Sequence, residues 1–201
     1  MRGRHTREKI LRDVYRLLLT DSYGRIAVGD IERATGLSRG TVFHHFHTKE
    51  HLFRCIVERY VLDTDGGERR AGLLARGATL AEFIRDARRV TDARYRLIRE
   101  LGIDDPRLAS LHIACQAACH YERYDEVMRL SRQAQLGVWT EAVRRACVSG
   151  ELPAETDVGQ TARILLLLSC GEPFEGMPGD RASDGDGRVG LCESYYALIR
   201  T

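Results

Sequence analysis

The 201-residue chain has no long hydrophobic run: its longest uninterrupted aliphatic stretch is the five residues Ile164–Leu168. A membrane-spanning helix needs roughly 20 apolar residues, so no bilayer span is expected. The first 20 residues alternate charge and hydrophobe, unlike the apolar block of an export signal. Cysteine offers no framework either. Six are scattered at positions 55, 115, 119, 147, 170 and 192, with no CxxC pair, so reduced thiols in a cytoplasm are expected. Period-2 alternation is almost absent, which argues against sheets. An excess of one charge is missing too, with 31 Lys and Arg against 29 Asp and Glu.

That balance hides an asymmetry. Through Arg54 the chain carries eleven Lys and Arg against six Asp and Glu, whereas the remainder carries 20 against 23. Five of the seven histidines (5, 44, 45, 47 and 51) also lie in the basic part. A small basic domain followed by a larger, mildly acidic one suits nucleic acid at one end and another task at the other.

Nearly everything else reads as helix. From Thr6 to Leu19, Ile10, Leu11, Val14, Leu17 and Leu18 recur at three- and four-residue spacing, which predicts an amphipathic helix. Turn chemistry at Asp21-Ser22-Tyr23-Gly24 ends it. Short helices are expected over 29–35 and 38–46, and a longer one over 49–63. Further helical patterns cover about 79–101, 107–120, 122–149, 157–170 and 188–200. The segment 171–190, rich in Gly, Pro, Asp and Ser, reads as a long loop. Within it, Asp184-Gly-Asp186-Gly is followed by Arg188 where a calcium loop needs an acid, so calcium is not expected.

The segment Asp30 to Phe46 has helix-turn-helix logic. Ile31 and Ala34 are expected to face inward, Gly36 to permit the sharp turn, and Leu37 to plug the angle between the helices. Ser38 is positioned to cap the second helix. Val42 and Phe46 would bury its inner side, leaving Arg39, Gly40, Thr41 and His44 for a major groove. The order D-I-x-x-A-x-G-L-S-x-G-T-x-F-x-H-F-x-x-K-E-x-L-F, from Asp30 to Phe53, resembles the TetR family of transcriptional regulators, and the resemblance covers about Arg7 to Tyr60.

The resemblance implies an all-α fold. Residues 1–63 would form a three-helix helix-turn-helix DNA-binding domain, and residues 64–201 a helical-bundle regulatory and dimerisation domain. It implies a homodimeric repressor on a pseudo-palindromic double-stranded operator, released by a small-molecule effector, with no enzyme activity, no cofactor and no membrane. Arg39 and Thr41 would contact base edges or nearby phosphates, and Gly40 would keep the helix close to the DNA. Phe43 stands where the family usually has a phosphate-binding Tyr, so it lacks that donor. His45 matches the family histidine, and Lys49 would face the DNA backbone. Arg2 and Arg4 would form an arm toward the backbone or minor groove. Ala27 replaces a common capping Thr, which would start the first motif helix weakly, at a cost of about 1 kcal/mol.

The second half offers two other constellations. His112, Cys115 and Cys119 share one helical stripe and suit zinc, copper or oxidant sensing, or a metalloenzyme. Their alanine-rich surroundings equally suit a close-packed core helix. Structural sites normally need four ligands, so no metal is expected. Trp139, Tyr121 and Tyr124, with His112, would either line an effector pocket or simply pack. The architectural resemblance puts Leu165, Leu168, Leu191, Tyr195 and Leu198 at a two-fold four-helix interface. No Ser-His-Asp, paired-carboxylate or phosphate-loop signature supports an enzyme.

Overall fold

A computed structural model describes residues 2–62, 66–171 and 190–201, less the side chains of Arg2, 66–68 and Gly171. The calcium-like segment at 184–188 and most of the expected long loop lie outside the described residues. Every regular element that is described is helical, and no described helix is long and apolar enough to cross a membrane. The helices are α1 (Arg2–Thr20), α2 (Val28–Thr35), α3 (Arg39–Phe46), α4 (Lys49–Ile56), α5 (Gly66–Ala75), α6 (Leu80–Glu100), α7 (Pro106–His120), α8 (Tyr124–Val148), α9 (Val158–Gly171) and α10 (Leu191–Ile199). A π-helical turn, Val57–Val61, follows α4. The single helix expected over 49–63 is therefore a regular segment and a wider turn, closed by the Leu62 N–H on the Val57 carbonyl at 2.9 Å.

The chain forms two compact units, residues 1–64 with 98–128, and residues 65–97 with 129–201. In the first, α1 packs on α2, α4 and α7. Ile10, Leu11, Val14, Tyr15, Leu18 and Leu19 are all buried, a stripe of the 3.6 period that the sequence shows. Each such side chain contributes about 1.5–3 kcal/mol on leaving water. Lys9 and Asp13 pair across one turn of the exposed face at 2.7 Å. Tyr15 stacks on Tyr60, with ring centroids 4.2 Å apart and planes inclined by 11°. Helix α7 starts at Pro106, whose missing N–H costs nothing at that position, while Asp105 accepts from the N–H groups of Arg107 and Leu108 at 3.1 and 3.0 Å.

The second unit closes around Phe83, Ile84, Trp139, Val143, Leu152 and Leu165. Trp139 is fully buried and meets Phe83 edge-on, at 4.6 Å and 79°. Glu151, just after the left-handed Gly150, ties this unit together. Its carboxylate accepts from the Leu80 and Ala81 N–H groups, both at 3.0 Å, and from the Tyr196 hydroxyl at 2.7 Å. It thus satisfies two of the orphan donors that open α6 while holding α10. Burial, and then the Glu151 carboxylate, push the Tyr196 phenol up to about 12.

Two consequences are measurable. Glu151→Ala should destabilise the protein by about 2–3 kcal/mol in urea unfolding, since it strands buried donors. Because the Tyr196 phenol holds its proton more tightly when folded, its contribution is complete below pH 10 and lost as pH rises toward about 12. Tyr196→Phe should flatten that part of the stability–pH curve; an unchanged alkaline slope would contradict the assignment.

Candidate nucleic-acid interface

The motif is built from two eight-residue helices that cannot hold their shape alone. Helix α2 lacks the usual cap, as expected from Ala27, yet Asp30 compensates. Its carboxylate accepts from the Ala27 N–H at 2.7 Å and also pairs with Arg33. The Ala27 hydrogen bond, followed by Arg33, holds this carboxyl below the usual carboxylate range. At the other end Gly36 adopts φ 65°, ψ 20° and donates to the Glu32 carbonyl at 2.8 Å. An added Cβ on Gly36 would meet nothing within 4 Å. The glycine is there for its left-handed backbone, not for space.

Ile31 is buried, but Ala34 is exposed and Leu37 only half-buried. Thr35 takes the inward position instead, 2% exposed, with its hydroxyl donating to the Ile31 carbonyl at 2.8 Å. The expectation for Ala34 is corrected for that reason: a threonine can enter a core once its hydroxyl is bonded.

Helix α3 is held at both ends. Ser38 Oγ accepts from the Thr41 N–H at 3.3 Å. The Glu32 carboxylate, reaching across from α2, accepts from the Arg39 N–H at 2.6 Å. At the far end His47 sits at φ 61° and donates its N–H to the Phe43 carbonyl at 2.8 Å. His51 lies 2.7 Å from the Phe46 carbonyl through Nδ1. A carbonyl only accepts, so that nitrogen carries a proton. Val42 and Phe46 are fully buried, and the Arg7 guanidinium covers the Phe46 ring at 5.0 Å. Of the residues singled out for DNA, Arg39, Gly40 and His44 are exposed, while Thr41, Phe43 and His45 are half-buried.

Two of the expected contacts have other surroundings. Arg4 belongs to the first turns of α1, which begins at Arg2, so this segment is helix and not an extended arm. The Arg2 side chain lies outside the described residues. The Lys49 ammonium donates to the Tyr23 carbonyl at 2.7 Å and lies 4.3 Å from the centre of the Tyr23 ring.

The remaining candidates separate between the two units. Tyr121, Tyr124 and His112 belong to the first, Trp139 to the second. The Tyr121 hydroxyl donates to Glu58 at 3.2 Å; burial, then the Glu58 charge, raise its pKa. Cys115 and Cys119 are exposed, which corrects the expectation of a close-packed core helix; Gln116 and Ala117 are the buried pair there. No three His, Cys, Asp or Glu side chains converge on a metal-sized site among the described residues. Leu165 is fully buried inside its own unit, so it is not on a free surface. Leu168, Leu191 and Tyr195 are half-buried, and Leu198 and the unforeseen Leu167 are 83% and 61% exposed.

Two short helices joined by a left-handed glycine, the second capped at both ends and bare on one face, define a helix-turn-helix domain. Residues 10–56 match the family model described as "Bacterial regulatory proteins, tetR family". The match covers 47 of the chain's 201 residues and falls on the helix-turn-helix segment. The chain is 43% identical over 49 residues to the HTH-type transcriptional repressor AcnR of Corynebacterium glutamicum, a match covering 24% of this chain and 26% of that protein. The chain therefore spans about a quarter of the length of the curated relatives it matches. The fold likeness is wider. NalD, the secondary repressor of the MexAB-OprM multidrug efflux pump in Pseudomonas aeruginosa, superposes with a TM-score of 0.62 at 21% identity, over 90% of this chain and 88% of NalD. A SmeT–triclosan complex gives 0.58 at 21%, over 98% and 92%.

The helix-end geometry yields a direct test. Gly36→Ala forces a side chain into the left-handed region without any clash, and should destabilise the protein by about 1–2 kcal/mol. Gly36→Asn should cost less, since Asn visits that region more readily. Equal unfolding midpoints for wild type and Gly36→Ala would refute the turn assignment.

Proposed function

We propose that the chain is a homodimeric, sequence-specific transcriptional repressor that leaves a pseudo-palindromic operator when a small molecule binds. Residues 1–63 would bind DNA, and residues 64–201 would dimerise and receive the effector, in the cytoplasm. The observation that carries the DNA-binding part is the free face of α3. Arg39 and His44 are exposed, with Thr41 between them half-buried, on a helix whose ends are fastened to α2 and α4. Arg39 is suited to a bidentate contact with guanine, and Thr41 and His44 to bases or phosphates. Phe43, without a hydroxyl, contributes packing. His45 and, as a partly engaged cation, Lys49 suit the phosphate backbone.

Gly40 strengthens the reading. A Cβ there would find only Ser38 Oγ at 4.0 Å, so nothing within the protein asks for glycine in this helix. A partner that comes close to the backbone would. The relatives point the same way: AcnR is named a transcriptional repressor, and NalD a repressor of an efflux pump.

For the dimer, the support is apolar side chains left in water on α9 and α10, Leu167 and Leu198, beside the half-buried Leu168, Leu191 and Tyr195. For the effector, it is the fold shared with SmeT, solved as a complex with triclosan. A thiol-sensing alternative draws on the exposure of Cys115 and Cys119; operator release by peroxide, lost in Cys115→Ser, would favour it over a ligand.

Selecting bound duplexes from random DNA should return a two-fold site with half-site centres about 34–36 Å apart. Arg39→Ala should weaken binding to that site and leave the dimer intact. Gly40→Ala should raise fold stability by about 0.5–1 kcal/mol and still weaken binding, a pairing that only a close partner produces. Leu198→Glu should give monomers by light scattering and lose most affinity, because both half-sites must be engaged together. Unchanged affinity for Arg39→Ala at fixed salt would reject the assigned face.

A further inference from the structure

A buried amide on α7 governs a cation that the DNA-binding reading needs. Gln116 is 7% exposed and lies between the buried Ile113 and Ala117, on a helix face where a leucine or methionine would fill the same space. An amide in such surroundings is tolerated only when both its ends are bonded, and here they are. Nε2 donates to the Leu18 carbonyl at 2.9 Å, and Oε1 accepts the Tyr23 N–H. Leu18 is in the last turn of α1, where carbonyls lack helical partners. Tyr23 lies in the irregular turn between α1 and α2, where no helix fixes its backbone. Gln116 therefore ties that turn to the end of α1 and to α7.

Tyr23 in turn holds Lys49. Its carbonyl accepts from the ammonium at 2.7 Å, and its ring lies 4.3 Å beneath it. Phe53 and His120 close on the same ring, with centroids at 4.4 and 5.1 Å. Burial, and then the nearby Glu50 charge, raise the pKa of the Tyr23 phenol. One donor of the ammonium is thus fixed and two remain for a phosphate, on a stem that would otherwise sample many rotamers.

We infer that Gln116 is a positioning residue for DNA binding: by fixing the Tyr23 turn it holds the Lys49 ammonium where one phosphate meets it. The inference rests on the DNA-binding reading above. It adds to it a residue more than fifty positions beyond the family-matched segment, which touches no DNA itself.

The test is a double-mutant cycle on the full-length protein, using the duplex enriched by the wild-type chain and titrated at several salt concentrations. Lys49→Ala should lower the salt slope by about 1.8, the value of one phosphate contact from each protomer of the dimer. Gln116→Met should weaken binding about 2- to 10-fold and shift the slope toward that of Lys49→Ala. Combined with Lys49→Ala it should add no further loss. Gln116→Glu, which keeps an acceptor for the Tyr23 N–H, should recover most of the slope. Should Gln116→Met not fold, Gln116→Ala, a better helix former, enters the same cycle. Wild-type affinity and slope in the Gln116 variants, or losses that multiply in the double variant, would overturn the inference alone. A wild-type chain that enriches no duplex would overturn the DNA-binding reading and the inference with it.

Discussion

An eight-residue helix is unstable by itself in water, and the whole functional reading hangs on one, α3. Its hydrogen bonds are few, so its position comes from elsewhere. Glu32 and Ser38 fasten the start, and His51 with the positive-φ His47 closes the end. Val42 and Phe46 anchor the underside. The helices around it serve as a frame: α1 supplies the apolar stripe, α2 carries Glu32, and α4 carries His51. Deleting any one fastening leaves backbone donors or acceptors unbonded at an end that has no spare turns to absorb fraying.

Much of this was legible in the residues. The 3.6 period of α1 predicted its buried face, and Gly36 with Ser38 predicted the turn and the cap. The family resemblance covered the segment that the tetR model matches. What escaped were contacts between residues far apart in sequence or decided by small margins. Ala34 and Thr35 are neighbours of similar size, and hydropathy favours the wrong one; only the hydroxyl bond to Ile31 reverses the order. Asp30 could have been read as the reciprocal half of a capping box, since it stands three residues after Ala27. Gln116, 93 residues from Tyr23, leaves no local signal beyond being a polar residue on an apolar stripe.

The second half was less legible for a different reason. Its helices are apolar over broad faces, so periodicity marks a helix without saying which leucine meets its own unit and which meets solvent. Leu165 and Leu167 are two residues apart in a run of four leucines, and one is fully buried while the other is mostly exposed. Cys115 and Cys119 show the same ambiguity, because cysteine is at home in a core or on a surface. Burial had to be observed.

The Glu32 carboxylate on the Arg39 amide changes what the tip of α3 can recognise. The start of a helix carries a partial positive charge that ordinarily draws in phosphate regardless of sequence. Here the chain's own anion already neutralises that end. A phosphate would therefore find less attraction at this helix start than at a free one. For the proposed DNA-binding function, that restraint would shift selectivity from the helix tip to the side chains of Arg39, Thr41 and His44.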